Sequence, residues 1–104
     1  MKIILMRHGQ AENESRPDSA RQLTEYGQQQ AAQTAEYLIE HYRPDHFVVS
    51  PYDRAQQTLA ELQARATDVP ASVQDNITPS DDAHAALIEL GHIEANCLVV
   101  VCHM

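Results

Sequence analysis

Two histidines in this chain stand directly after apolar runs. Lys2-Ile3-Ile4-Leu5-Met6 leads into Arg7-His8-Gly9, and Cys97-Leu98-Val99-Val100-Val101-Cys102 leads into His103. Apolar runs of this length read as buried strands, and in open α/β sheets ligands bind at the carboxyl ends of strands. A third short run, Phe47-Val48-Val49, is followed by Ser50-Pro51-Tyr52-Asp53-Arg54. If the three strands are parallel, two arginines, two imidazoles and a helix N-terminus meet at one sheet edge. That set suits a phosphoryl dianion. A neutral imidazole is a competent nucleophile for phosphorus, and arginines can supply the charge that transfer requires on the equatorial oxygens. Gly9 leaves room for close approach beside His8. The polar segment 10–23 could add Arg16, Asp18 or Arg21 from a loop across the mouth of the sheet.

Local signals then supply the elements that must position these groups. Thr24 and Glu25 open a helix. Its apolar stripe is Ala31, Ala35, Leu38, Ile39 and Tyr42, and Arg43-Pro44 stops it. Ser50 is read as the cap of a second helix, with Pro51 at its first position and Ala55, Leu59 and Leu62 buried. Val73–Ile77 is read as a short edge strand. A third helix, capped by Ser80 or Asp81, turns Ala83, Ala86, Leu87 and Leu90 inward and ends at Gly91. The order β-α-β-α-β-α-β predicts an α/β domain with a mostly parallel sheet covered on both faces.

Bulk properties narrow the function classes. The chain has 104 residues, which is one domain. A formal net charge of −8, from 7 basic and 15 acidic residues, argues against non-specific binding to nucleic acid or a membrane surface. It leaves room for a locally basic pocket. No apolar run approaches the roughly 20 residues of a membrane span, and none reads as a signal peptide. Cys97 and Cys102 lie on one predicted strand and point to opposite faces, so they cannot bridge each other within it. Reduced cysteines in the cytoplasm are the expectation. His41, His46, His84 and His92 lack ligand spacing, and neither a metal nor a cofactor is expected.

The motifs also carry a resemblance. Arg7-His8-Gly9, Leu23-Thr24-x-x-Gly27-x-x-Gln30-Ala31, Ser50-Pro51-x-x-Arg54-Ala55-x-Gln57-Thr58 and Val100-Val101-Cys102-His103 follow one another as they do in the histidine phosphatase superfamily. That superfamily has the phosphoglycerate-mutase-like fold, a three-layer α/β/α sandwich. Within it, Asp18-Ser19-Ala20-Arg21-Gln22-Leu23-Thr24 is similar to a segment of the small phosphohistidine phosphatases of the SixA type. Asn76-Ile77-Thr78-Pro79 falls where mutases and many phosphomonoesterases carry a general-acid Glu, and Asp75, Asp81 and Asp82 only flank it. Ala11, and Asn13 placed one residue early, also depart from the mutase pattern.

The resemblance implies a phosphatase in which His8 attacks phosphorus and becomes a phosphohistidine that water hydrolyses. Arg7, Arg54 and His103 would bind the equatorial oxygens, and Asp18 and Arg21 would shape the pocket. For this, His8 should be neutral and His103 charged. The implied substrate is a phosphohistidine protein, such as the phosphotransfer domain of a sensor kinase or a sugar-transport phosphocarrier. A phosphoramidate expels imidazole, which takes its proton from solvent, so a site without a placed acid loses least on this substrate. A broad phosphomonoesterase and a non-catalytic phosphate-binding module remain as alternatives. The family domain continues for about a third of its length past the second histidine. Residues 1–104 are therefore expected to be its N-terminal two-thirds with the outer edge of Lys2–Met6 left unpaired, read as a fragment, with a natural truncation or an association that covers the edge as the alternatives.

Overall fold

Parallel pairing of four strands organises the chain. A computed structural model describes residues 1–13 and 16–103. Its strands are β1 (Lys2–Arg7), β2 (His46–Val49), β3 (Ala71–Val73) and β4 (Cys97–Cys102), and its helices are α1 (Glu25–His41), α2 (Asp53–Arg65) and α3 (Ala83–Leu90). A short 3-10 turn, Asp18–Ala20, interrupts the loop before α1. The sheet order is β1-β4-β2-β3, and every pairing is parallel.

This order explains the layers. The chain steps in one direction from β1 through β2 to β3, then returns to insert β4 between β1 and β2. Right-handed crossovers place α1 and α2 on one face and, after the reversal, α3 on the other. The two cores agree with that arrangement. Met6, Phe47, Val49, Val99 and Val101 pack beneath Ala35, Leu38, Ala55, Leu59 and Leu62 of α1 and α2. Val48, Leu98, Val100 and Cys102 point the opposite way and meet Ala86 and Leu90 of α3. Along β2 and β4 alternate residues serve alternate cores, as a two-residue side-chain period requires. The predicted three-layer α/β/α architecture is the one observed.

Several local expectations need correction. Lys2–Met6 is not a buried strand. Only Met6 of that run is buried, while Ile3 and Leu5 are 38% and 53% exposed, because α3 lies over β2 and β4 and does not reach them. Among the described strands β1 pairs with β4 alone, so its outer edge is open, as expected. The third strand lies at Ala71–Val73, earlier than read, because Phe47 to Val49 pair with those residues. Leu87 of α3 faces outward at 56% exposure. Asp82, not Ser80 or Asp81, caps that helix, and its carboxylate accepts the His84 N–H. Helix α2 begins at Asp53, and Ser50 stands outside it.

Thr24 caps α1 as expected, its hydroxyl accepting the Gly27 N–H at 2.9 Å. Gly27 then meets the turn after His8 at backbone contact. A Cβ on Gly27 would lie 2.0 Å from the Gln10 carbonyl oxygen, and one on Gly9 would lie 2.1 Å from that of Gly27. The room left by Gly9 is thus taken up by the helix. Ala is ordinarily the better helix residue by about 1 kcal/mol. Here Gly27→Ala is expected to destabilise by about 2–3 kcal/mol, because the added methyl forces two backbones apart. A urea midpoint that rises, or does not move, would show the contact to be looser than this.

Candidate active site

The site forms where the carboxyl ends of adjacent strands β1 and β4 meet the start of α2. The His8 N–H donates to the Cys102 carbonyl at 3.2 Å and the Ser50 N–H to that of Val101 at 3.1 Å, which ties the three segments together. Residues 7–8, 50–54 and 103, predicted separately from local patterns, are brought together. The His8 and His103 ring centroids lie 5.0 Å apart. In front of His8 is a cavity of about 510 Å³ lined by Arg7, Gly9, Gln10, Ala11, Arg21, Gln30 and Arg54. Among the described residues no carboxylate lines it.

Hydrogen bonding assigns the proton on His8. Its Nδ1 lies 2.7 Å from the Gly9 carbonyl oxygen, which can only accept, so Nδ1 carries hydrogen. The Arg54 Nε–H points at His8 Nε2 from 3.3 Å. A guanidinium is always a donor, so Nε2 presents its lone pair. Burial, then the guanidinium charges of Arg54, Arg7 and Arg21, pulls His8 below the ordinary histidine value of 6.5, against the raising effect of the Gly9 bond. Nε2 is therefore an unprotonated nitrogen at neutral pH, facing cations.

His103 is neutral as well. Burial, with Arg54 and His8 behind it, pulls its pKa down to about 4. The expected division into a neutral His8 and a charged His103 is not what this geometry produces. Burial first, and then the shared Arg54 guanidinium, disfavours positive charge on both rings.

The arginines are held in different ways. Arg54 is buried at 4% exposure, and its Nη1 donates to the Asp18 backbone carbonyl at 2.6 Å. Arg21 donates from Nε to the Glu12 carbonyl at 2.8 Å and from Nη1 to Asp18 Oδ1 at 3.0 Å. Arg7, the last residue of β1, is exposed and lines the cavity. Asp18 does not line it. Its carboxylate lies between Arg21 and Arg54, and the Arg21 bond, more than the Arg54 charge, holds it below the usual carboxylate range. Asp18 thus pairs with both Arg21 and Arg54. Arg16 lies further out and pairs with Glu12.

Three supporting residues were quoted within a motif but given no role in the site. Thr58 is fully buried, accepts the Gly9 N–H at 3.1 Å and donates to the Arg54 carbonyl at 2.8 Å, joining the nucleophile turn to α2. It stands four residues after Arg54, one helical turn along the same face, which was the available signal. Gln57 fastens the loop to α2, accepting the Leu23 N–H at 2.7 Å and donating to Gln22 Oε1 at 2.6 Å. Ser50, read as a helix cap, instead places its hydroxyl 2.8 Å from His103 Nε2.

Comparison with known proteins places this arrangement. The chain is 36% identical over 97 residues to a phosphohistidine phosphatase SixA homolog of Haemophilus influenzae, an alignment covering 84% of this chain and 58% of that protein. This chain thus spans less than two thirds of that relative. Among solved structures it is similar to the protein histidine phosphatase SixA complexed with tungstate, with a TM-score of 0.83 and 29% identity over 100% of this chain and 70% of that one. A structure named for SixA of Agrobacterium tumefaciens, at 24% identity, shares the fold with a TM-score of 0.87 over 97% of this chain and 68% of its own. The family model of the histidine phosphatase superfamily (branch 1) matches residues 3–78. With the arginines and the nucleophile turn inside that match and the second histidine beyond it, directly after β4, the chain belongs to the histidine phosphatase superfamily.

Proposed function

We propose that this chain carries the catalytic centre of a phosphohistidine phosphatase acting on a protein-borne phosphohistidine. The observation that carries the reading is the His8 tautomer: Nδ1 is committed to the Gly9 carbonyl, and Nε2 offers its lone pair beside Arg54. In the first step the bond from His8 Nε2 to phosphorus forms as the phosphorus–nitrogen bond of the substrate breaks. The departing imidazole takes a proton from water. In the second step water attacks phosphorus, the bond to Nε2 breaks and inorganic phosphate leaves. Arg7, Arg54 and His103 receive the equatorial oxygens, while Arg21 adds charge at the rim and Asp18 orients both Arg21 and Arg54.

Two of the three acids that flank the general-acid position are engaged elsewhere. Asp81 accepts from the Thr78 N–H and hydroxyl and Asp82 caps α3, while Asn76, at the general-acid position itself, is an amide that accepts from Gln74. A cavity that no carboxylate lines among the described residues favours a phosphoramidate over an alkyl phosphate. A phosphotransfer domain or a sugar-transport phosphocarrier would present such a group.

The test compares initial rates on a phosphohistidine protein and on 4-nitrophenyl phosphate, together with trapping of labelled enzyme. Faster ester hydrolysis would make it a broad phosphomonoesterase. Phosphate binding without labelled enzyme would make it a binding module. A pH profile adds a further expectation. His8 must be neutral to attack, and its pKa lies below 6.5. The acid limb of kcat/KM, which reports the free enzyme, should therefore have its midpoint below pH 6.5, with no loss of rate from there to neutrality. A midpoint above 6.5 would contradict the charge arrangement around His8.

A further inference from the structure

Buried Ser50 and half-buried His103 share a hydrogen bond that the mechanism above has not used. Ser50 is fully buried, and its Oγ has two neighbours. The Tyr52 N–H donates to it at 3.3 Å, and His103 Nε2 lies 2.8 Å away. The other imidazole nitrogen, His103 Nδ1, is buried and has no partner among the described residues. Tyr52 packs edge-on against the same ring, with centroids 5.2 Å apart.

Donor and acceptor bookkeeping decides between two arrangements. If Nε2 carried the hydrogen, Ser50 Oγ would accept twice, from Tyr52 and from His103. Its own hydrogen would then be stranded in a buried site. If the Ser50 hydroxyl donates to Nε2, the hydroxyl and Nε2 are both satisfied, and the ring proton sits on Nδ1. Nδ1–H is then the one donor of the pair still lacking an acceptor.

We infer that Ser50 is a positioning residue: its hydroxyl holds His103 as the Nδ1–H tautomer, leaving a buried neutral donor that an added acceptor such as a phosphoryl oxygen would satisfy. This rests on the phosphatase reading for its consequence, although the tautomer itself does not. It also removes the difficulty that His103 is uncharged at neutral pH, since a neutral ring in this tautomer donates where the other tautomer would repel the oxygen.

Long-range proton–nitrogen correlation spectra of ¹⁵N-labelled protein at pH 7 read which His103 nitrogen carries hydrogen. Hydrogen on Nδ1 is expected in the parent protein. Ser50→Ala should populate the Nε2–H form and lower kcat at least about tenfold, the direction seen when a catalytic imidazole loses its tautomer partner. Ser50→Thr, which keeps the hydroxyl, should retain both the tautomer and most of the rate. Hydrogen on Nε2 in the parent protein overturns the inference, and this spectrum decides even if Ser50→Ala does not fold. An unchanged tautomer in folded Ser50→Ala also overturns it. The expected tautomers in a protein that never forms labelled enzyme would uphold the Ser50 assignment and defeat the phosphatase reading instead.

Discussion

His8→Asn is expected to abolish the phosphoenzyme and to lower turnover on phosphohistidine protein on the order of 10⁴-fold or more. Asparagine is the informative replacement because its amide can still donate to the Gly9 carbonyl, which in the parent accepts from His8 Nδ1 at 2.7 Å. The turn is thereby kept, and Gly9 stays against Gly27 and Thr58. What is lost is the lone pair at Nε2, the atom that would bond to phosphorus. Radiolabel incorporation in a rapid-quench experiment, with circular dichroism as the control on folding, checks this. Labelled enzyme in His8→Asn, or a turnover within tenfold of the parent, would move the nucleophile to another residue.

The second large effect belongs to Arg54. It combines deep burial, a bond to the Asp18 carbonyl and a donor on the nucleophile itself, and Nε and Nη1 make the last two at once. Lysine carries the charge but not the planar fork, so Arg54→Lys cannot reproduce both contacts. Arg54→Ala and Arg54→Lys are each expected to lower kcat about 10²–10³-fold, as removal of a preorganised donor to transition-state charge does. The two should then differ in pH behaviour. Arg54 is one of the charges that hold the His8 pKa down. Its removal in Arg54→Ala should move the acid limb of kcat/KM toward higher pH, while Arg54→Lys should leave most of that limb in place. Equal limbs in the two variants would mean that burial, the largest cause, sets the His8 pKa without the guanidinium.

Phosphate binding should follow the same order. Arg21 lines the cavity but is tied to Asp18 and to the Glu12 carbonyl, so it serves the rim. Arg54 spans the space between the loop and His8. The difference is one of position, and residue type alone does not distinguish the two arginines.

That distinction marks the boundary between what could be read from residue order and what could not. The sequence by itself determined the element order, the parallel sheet and the placement of His8, Arg54 and His103 after strands. Those features are encoded locally, in apolar runs, helix periodicity and caps such as Thr24. Tertiary structure decided that Ile3 and Leu5 stand exposed while Phe47 and Val99 do not, because cover depends on where α3 lands. It also turned Ser50 from a helix cap into a partner of His103, 53 residues away, and Asp18 from a pocket lining into a clamp on two arginines. Finally it left both imidazoles neutral where one was expected to be charged. Each of these turns on contacts between residues far apart in the chain, made only when crossovers and strand register bring them within reach. No local pattern carries that distance, and so the chemistry of the residues was legible in the sequence while their protonation and partners were not.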